Sequence, residues 1–156
     1  MRARLDRNQV NYLFARYREP VFRFLRRFVR DGQAAEDLTQ ETFLRALRAS
    51  YSANGQERAW IFQIARNLGR DHLRTRQRTP ATAELGDPAG GRGDPSLALD
   101  LESALATLSD DDREVFLLRE VAGLGYGEIA SASGLTPDAV RSRLHRARIA
   151  LRKQLQ

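Results

Sequence analysis

The segment TPATAELGDPAGGRGDPS, residues 79–96, constrains this chain more than any other feature. It holds three Pro and four Gly and almost no large apolar side chain, so it cannot bury enough surface to offset the entropy of ordering itself. It reads as a flexible linker. The rest of the 156 residues falls into two pieces, 1–78 and 97–156, each near the lower size limit for an independent core. Small helical bundles are the expected solution.

Both pieces carry helical periodicity, and no alternating β-branched run predicts a strand. In the first, Leu13, Tyr17, Val21, Phe24 and Phe28 recur at three- and four-residue intervals. Pro20 is expected to begin a new helix after a break at Arg18-Glu19, and Asp31-Gly32 to end the segment. A second helix, roughly 33–49, sets Ala35, Leu38, Thr42 and Ala46 on one stripe with Phe43, Leu44 and Leu47 beside it. Beyond a loop at 51–56, a third helix, roughly 57–77, buries Trp60, Ile61, Ile64, Leu68 and Leu73. The second piece opens on Asp94-Pro95-Ser96, a cap followed by a helix-compatible Pro. Leu97, Leu101, Leu105 and Leu108 form its first apolar stripe. Ser109-Asp110-Asp111-Asp112 starts another helix with carboxylates at its positive end, and Val115, Phe116, Leu118 and Val121 supply the packing face. The fold class is therefore all-α, with two small helical domains joined by a flexible linker.

Composition excludes several functions. The chain has no Cys and only His72 and His145, so neither disulfides nor a metal site is expected, and no cofactor is called for. The start, MRARLDRNQV, is charged and leads into no apolar run, and no stretch approaches a membrane span. A cytoplasmic protein without membrane insertion is expected. The formal charge of +6 is unevenly spread. Residues 1–78 hold 17 Arg against 8 acidic residues, 79–138 hold 3 Arg against 12, and 139–156 hold six basic residues and no acidic one. Two basic blocks around an acidic middle point to two separate polyanion contacts.

The sharpest chemical signal is YGEIASASGLTPDAVRSRLHRARIALRK, residues 126–153. A short helix ends at Gly134, a residue tolerant of positive φ. Leu135 packs inward, Thr136 caps, Pro137 fits the first turn, and Asp138 suits the helix dipole. This is a helix-turn-helix pattern. In its second helix Val140, Leu144, Ala147 and Leu151 share one apolar stripe, while Arg141, His145, Arg148 and Arg152 share another face. Arg141, Ser142, His145 and Arg146 lie nearest the end that would meet base edges in a major groove; Arg148, Arg152 and Lys153 lie where phosphate would be.

Residues 35–48 (AEDLTQETFLRALR), 60–78 (WIFQIARNLGRDHLRTRQR) and 112–148 (DREVFLLREVAGLGYGEIASASGLTPDAVRSRLHRAR) together resemble the extracytoplasmic-function (ECF, group IV) sigma factors of the sigma-70 family. The resemblance runs in the right order across the linker and covers most of residues 10–153. It implies a region 2 domain at 1–78, a linker at 79–96 and a region 4 domain at 97–156. It further implies a non-catalytic specificity subunit of RNA polymerase that recognises −10 and −35 promoter elements and is held by an anti-sigma factor. By the same resemblance, Asp37, Gln40, Glu41 and Leu44 contact the polymerase clamp, and the second domain touches the flap. Asn67 and Asp71 would bond an unstacked −10 base, with Arg66, Arg70 and Arg74 on the strand's phosphates. Tyr51 lies in the loop where the family captures a flipped base.

Other readings stand beside these. Asp37 and Glu41 can pair with nearby Arg45 as a solvated face, Tyr51 can pack on its own domain, and Trp60 reads mainly as core. A dimeric helix-turn-helix regulator would explain the second domain but leave the −10-like helix unexplained. A nucleic-acid enzyme lacks a recognisable nucleophile, base or metal spacing. An adaptor that binds only protein conflicts with the cationic stripe at 139–153.

Overall fold

The computed structural model describes residues 3–4, 6–51, 55–78 and 95–155. The flexible-linker reading falls largely on 79–94, and the loop reading partly on 52–54, outside the described residues; the side chain of Tyr51 is also outside them.

Helix α1, Arg7–Val29, begins with a reciprocal cap. The Asp6 carboxylate accepts from the Gln9 N–H at 2.8 Å, and the Gln9 side-chain oxygen accepts from the Asp6 N–H at 2.9 Å. The expected break at Arg18-Glu19 is absent, and Pro20 lies inside one continuous helix. A mid-helix Pro costs about 3 kcal/mol, whereas each large apolar side chain buried contributes about 1.5–3 kcal/mol. Leu13, Tyr17, Val21, Phe24, Leu25 and Phe28 are all buried on one stripe that spans the Pro, so packing wins. The helix stops at Arg30, which adopts φ 59° and donates its N–H to Arg26 O.

Helix α2, Gly32–Arg48, follows at once because Asp31 caps it through the Ala34 N–H. Its core-facing threonines are satisfied internally: Thr39 Oγ1 donates to Ala35 O and Thr42 Oγ1 to Leu38 O. Phe43 and Ala46 are buried, while Leu44 and Leu47 remain exposed. A two-residue antiparallel pair joins Ala3–Arg4 (β1) to Ser50–Tyr51 (β2), with Ala3 opposite Tyr51. Helix α3, Glu57–Arg78, buries Ile61, Phe62, Ala65, Leu68 and Gly69. The stripe is rotated from the expected one: Trp60, Ile64 and Leu73 are only partly buried at its margin. The Phe62 ring meets Phe24 edge-on at 5.8 Å.

The second unit comprises α4 (Pro95–Ala106), α5 (Asp110–Glu120), α6 (Tyr126–Ser133) and α7 (Pro137–Gln154). Ser109 caps α5, accepting from the Asp112 N–H. Val115, Leu117 and Leu118 are buried, with Phe116 and Val121 packed beside them. Among the described residues the architecture is helical apart from the two-residue pair.

The two units pack on one another. Helix α1 meets α5, α3 meets α6, and the buried side chains of both units form one continuous cluster. Arg113 is embedded in the junction: its Nε and Nη2 donate to Phe28 O on α1 at 3.1 and 3.0 Å, and its Nη1 donates to Leu108 O at 3.2 Å. Phe28 O belongs to the last turn of α1, whose carbonyls lack intrahelical partners. Asp110 accepts from the same guanidinium at 2.7 Å, while burial pulls the Arg113 pKa below its ordinary value.

Candidate nucleic-acid interface

The helix-turn-helix forms as its residues dictate. Gly134 has φ 68°, Thr136 accepts from the Ala139 N–H, and Pro137 opens α7. Val140, Leu144, Ala147 and Leu151 are all buried, which turns the opposite faces of α7 outward. Arg141, Ser142, His145, Arg146, Arg148, Arg152 and Lys153 are exposed.

Several of these cations already have local partners. Arg141 pairs with Asp138 at 2.8 Å and lies 5.8 Å from the centre of the Tyr126 ring; Arg119 lies 5.2 Å from the same ring. Arg148 pairs with Glu120 at 3.5 Å and Arg146 with Asp112 at 3.0 Å. Bonding to Asp112 raises the Arg146 pKa. Arg143, not singled out in the sequence, pairs with Asp111 at 3.6 Å.

The candidate single-strand face on α3 is arranged differently. Asn67, Asp71 and Arg74 are exposed, with Arg74 bonded to Asp71 at 2.8 Å. Arg66 and Arg70 instead turn toward α5. Arg66 pairs with Glu114 and also donates to Asn67 Oδ1 at 3.0 Å; Arg70 bonds Asp111 at 2.5 Å. Glu114 is only 1% exposed, and its Oε2 has no hydrogen-bond partner among the described residues. Burial pushes the Glu114 carboxyl above the ordinary range against the pull of Arg66. The Arg70 hydrogen bond holds the Asp111 carboxyl below its ordinary value. One carboxylate, Asp111, thus bridges α3 and α7.

Sequence reasoning read the acidic start of α5 only as a complement to its own dipole. Which cation an acid meets across a tertiary contact leaves no periodic signal.

The candidate docking edge lies apart, on α2. Asp37, Gln40 and Leu44 are exposed, and Glu41 is half-buried and bonded to Arg45 at 3.2 Å. Asp37 accepts from Gln33 Nε2 at 3.4 Å. Beside them runs a cleft walled by Phe14, Arg18, Phe22 and Glu36. Exposed Tyr12, Phe14, Leu44 and Leu47 add an apolar component absent from the sequence reading, apart from Leu44. Among the described residues no group of acidic or histidine side chains is placed to hold a metal.

Residues 13–79 match the family model described as Sigma-70 region 2, and residues 98–151 the one described as Sigma-70, region 4. RNA polymerase sigma factor CarQ of Myxococcus xanthus is 40% identical over 151 residues, 92% of this chain and 87% of that protein. ECF RNA polymerase sigma factor SigC of Mycobacterium tuberculosis is 37% identical over 142 residues, 85% of this chain and 76% of that protein. The chain belongs to the ECF sigma factors of the sigma-70 family. ECF sigma factors direct promoter-specific initiation as specificity subunits of RNA polymerase, and this chain carries both of their promoter-facing regions. Its fold is similar to that of the sigma factor RpoE solved with the anti-sigma factor NepR from Bartonella quintana, with a TM-score of 0.81 at 27% identity over 93% of this chain and 95% of that one. It is also similar to CnrH solved with the cytosolic domain of CnrY, with a TM-score of 0.76 at 27% identity over 96% of this chain and 89% of that one. No described helix of this ECF factor is long and apolar enough to cross a membrane.

Proposed function

We propose that this chain, acting in the cytoplasm and contributing no catalytic group, selects promoters through two separate DNA contacts while held on core RNA polymerase. Residues 1–78 would dock on the clamp through Asp37, Gln40, Glu41 and Leu44. They would take the melted −10 strand through Asn67, Asp71, Arg66, Arg70 and Arg74, with Tyr51 beside the flipped base. Residues 97–156 would read duplex −35 DNA with Arg141, Ser142, His145 and Arg146, and hold phosphate with Arg148, Arg152 and Lys153. Residues 79–96 connect the two. The observation that carries this reading is α7, with one face entirely buried and a cationic face left open beside a capped turn. A bidentate Arg–guanine contact supplies about 1–3 kcal/mol of discrimination. Two moderate contacts on one tether gain through effective concentration, so neither needs to be tight alone. Because the similar sigma factor RpoE was solved in complex with the anti-sigma factor NepR, an anti-sigma factor is proposed as the regulator here.

Reconstituted transcription with core polymerase on a randomised promoter library tests the reading. The purified chain is expected to start RNA synthesis at a defined subset of sequences. Replacing Arg141 and Arg146 together by Ala should abolish selection at the −35 position while co-purification with core survives. Initiation independent of the added chain would overturn the proposal.

A further inference from the structure

Of the exposed apolar side chains, Tyr12 stands apart. It is 59% exposed, more than any other large apolar residue among the described ones. Phe14 and Phe22 line the cleft beside α2, but Tyr12 is two residues from Phe14, about 200° around α1, and does not line that cleft. Its neighbour at the helical spacing is a cation: exposed Arg16 donates from Nη1 to the Tyr12 hydroxyl at 2.7 Å. The Arg16 guanidinium also lies 5.5 Å from the centre of the buried Tyr17 ring, so two contacts hold it in place. Arg66, Arg70, Arg141 and Arg146, all assigned to DNA, are each held by a carboxylate. Arg16 forms no ion pair among the described residues, which leaves its charge available.

The pair lies beyond one end of α3. Helices α1 and α3 run side by side in the same direction, since Phe24 meets Phe62 and the Phe28 ring lies against Gly69. Earlier in both helices, bonding to the Tyr12 hydroxyl raises the Arg16 pKa, and Glu57, the first residue of α3, adds to the rise. Arg16 therefore stands near the start of α3, and residues 7–15 of α1 project ahead of it by about 14 Å at 1.5 Å per residue. The pairing of Ala3 and Arg4 with Tyr51 and Ser50 brings the chain just ahead of α1 to the same end. At its other end α3 stops at Arg78, where the chain leaves for the domain assigned to the −35 element. That end of α3 faces upstream, so the end carrying Tyr12 and Arg16 faces downstream.

We propose that Tyr12 and Arg16 form a further contact with the melted strand, in which the Tyr12 ring stacks on a base just downstream of the −10 element and Arg16 holds the adjoining phosphate. The inference rests on the −10 role assigned to α3. A phenol ring stacks on any base, and the guanidinium fork matches phosphate oxygens. The two residues are about 6 Å apart along the helix axis, close to the rise of two stacked bases at about 3.4 Å each. Such a contact is blind to sequence. It lengthens the grip on the melted strand without changing which promoter is chosen.

The test uses the full chain assembled with core polymerase. A fluorescent fork template carries a promoter recovered from the randomised library, with its non-template strand left single from the −10 element onward. A second fork has abasic sites at the first few nucleotides after that element, so phosphates remain and bases do not. The lifetime of each complex is measured after challenge with excess unlabelled fork. Tyr12→Ala should shorten the lifetime on the base-bearing fork about fivefold or more and leave that on the abasic fork unchanged. Tyr12→Phe, which keeps the ring, should behave as wild type on both. Arg16→Ala should shorten both lifetimes, because its phosphate is present in each. Co-purification with core should be unchanged for all three variants. A Tyr12→Ala chain that matches wild type on both forks, or loses equally on both, overturns the proposal. So does loss of core binding, which would assign the pair to a polymerase surface. A library that yields no promoter with wild-type chain brings down the functional reading and this inference together; normal selection with no base-dependent loss in Tyr12→Ala brings down this inference alone.

Discussion

Arg113 shows how one buried charge can be tolerated. Its guanidinium reaches Phe28 O, Leu108 O and Asp110, so its burial is matched by four hydrogen bonds, two of them to a carbonyl that α1 cannot satisfy alone. Arg113→Met keeps much of the packing but leaves those carbonyls without a donor. A loss of about 2–3 kcal/mol is expected, read as a Tm lower by several degrees. A second residue, Tyr126, stands between Arg119 and Arg141 with both guanidinium groups within 6 Å of its ring centre. It limits where Arg141 can point. Exposed cation–π contacts are worth about 0.5–1 kcal/mol, so Tyr126→Leu should weaken −35-dependent transcription by about two- to fivefold. Core association should be unchanged in a pull-down; an equal fall in both would reassign Tyr126 to folding. Glu114 yields a third expectation. Its carboxyl is raised by burial against the pull of Arg66 and Arg70, with the nearby Asp111 charge adding to the rise, so its protonated form is the one favoured by folding. That stabilisation is fully present below the ordinary glutamate value of about 4.3 and is lost as pH rises through the raised native value. Glu114→Gln, which mimics the protonated group, should therefore hold or raise the Tm at pH 7, and its advantage should vanish below about pH 4. A clear drop at pH 7 would show that pairing with Arg66 outweighs burial.

Elements were legible where local chemistry decides them. Thr136, Pro137 and Gly134 set the helix-turn-helix, and Ser109 set the start of α5, because caps and positive φ depend on a few adjacent residues. The four-residue stripe of α7 was equally readable, since a fully buried face leaves a strict period. Pro20 was misjudged for the opposite reason: its local cost is real, but six buried side chains, two before it and four after, override that cost. On α3 the buried face turned toward Phe62 and Ala65 because Gly69 lets α1 come close. A Cβ at Gly69 would stand 2.8 Å from Phe28 Cδ2 and 3.3 Å from Leu25 Cδ2. Gly69→Ala gains about 0.5–1 kcal/mol of helix propensity but forces the Phe28 ring to move, at a cost of about 1–3 kcal/mol. A net loss near 1 kcal/mol is expected in denaturant melts, and rescue by Phe28→Leu in the same background would locate the clash.

For the molecule as a whole, the charge distribution displayed two basic blocks around an acidic middle but not that acidic residues of α5 would sit on the basic helices. That pairing links residues far apart in sequence, and nothing in a one-dimensional pattern specifies it. The packing of the two units should depend on pH through Asp111, which faces Arg70, Arg143 and Arg66. Its lowered carboxyl stabilises that packing above the ordinary aspartate value of about 3.9, and the contribution disappears as pH falls through the native value. Acidification toward pH 3 should therefore lengthen the distance between the domains in scattering or energy-transfer measurements, earlier than secondary structure is lost by circular dichroism. The two-residue pairing of Ala3 with Tyr51 has a practical outcome of its own. It ties Ala3 and Arg4 to Ser50 and Tyr51, between α2 and α3, so a purification tag or fusion partner ahead of Ala3 would load that junction.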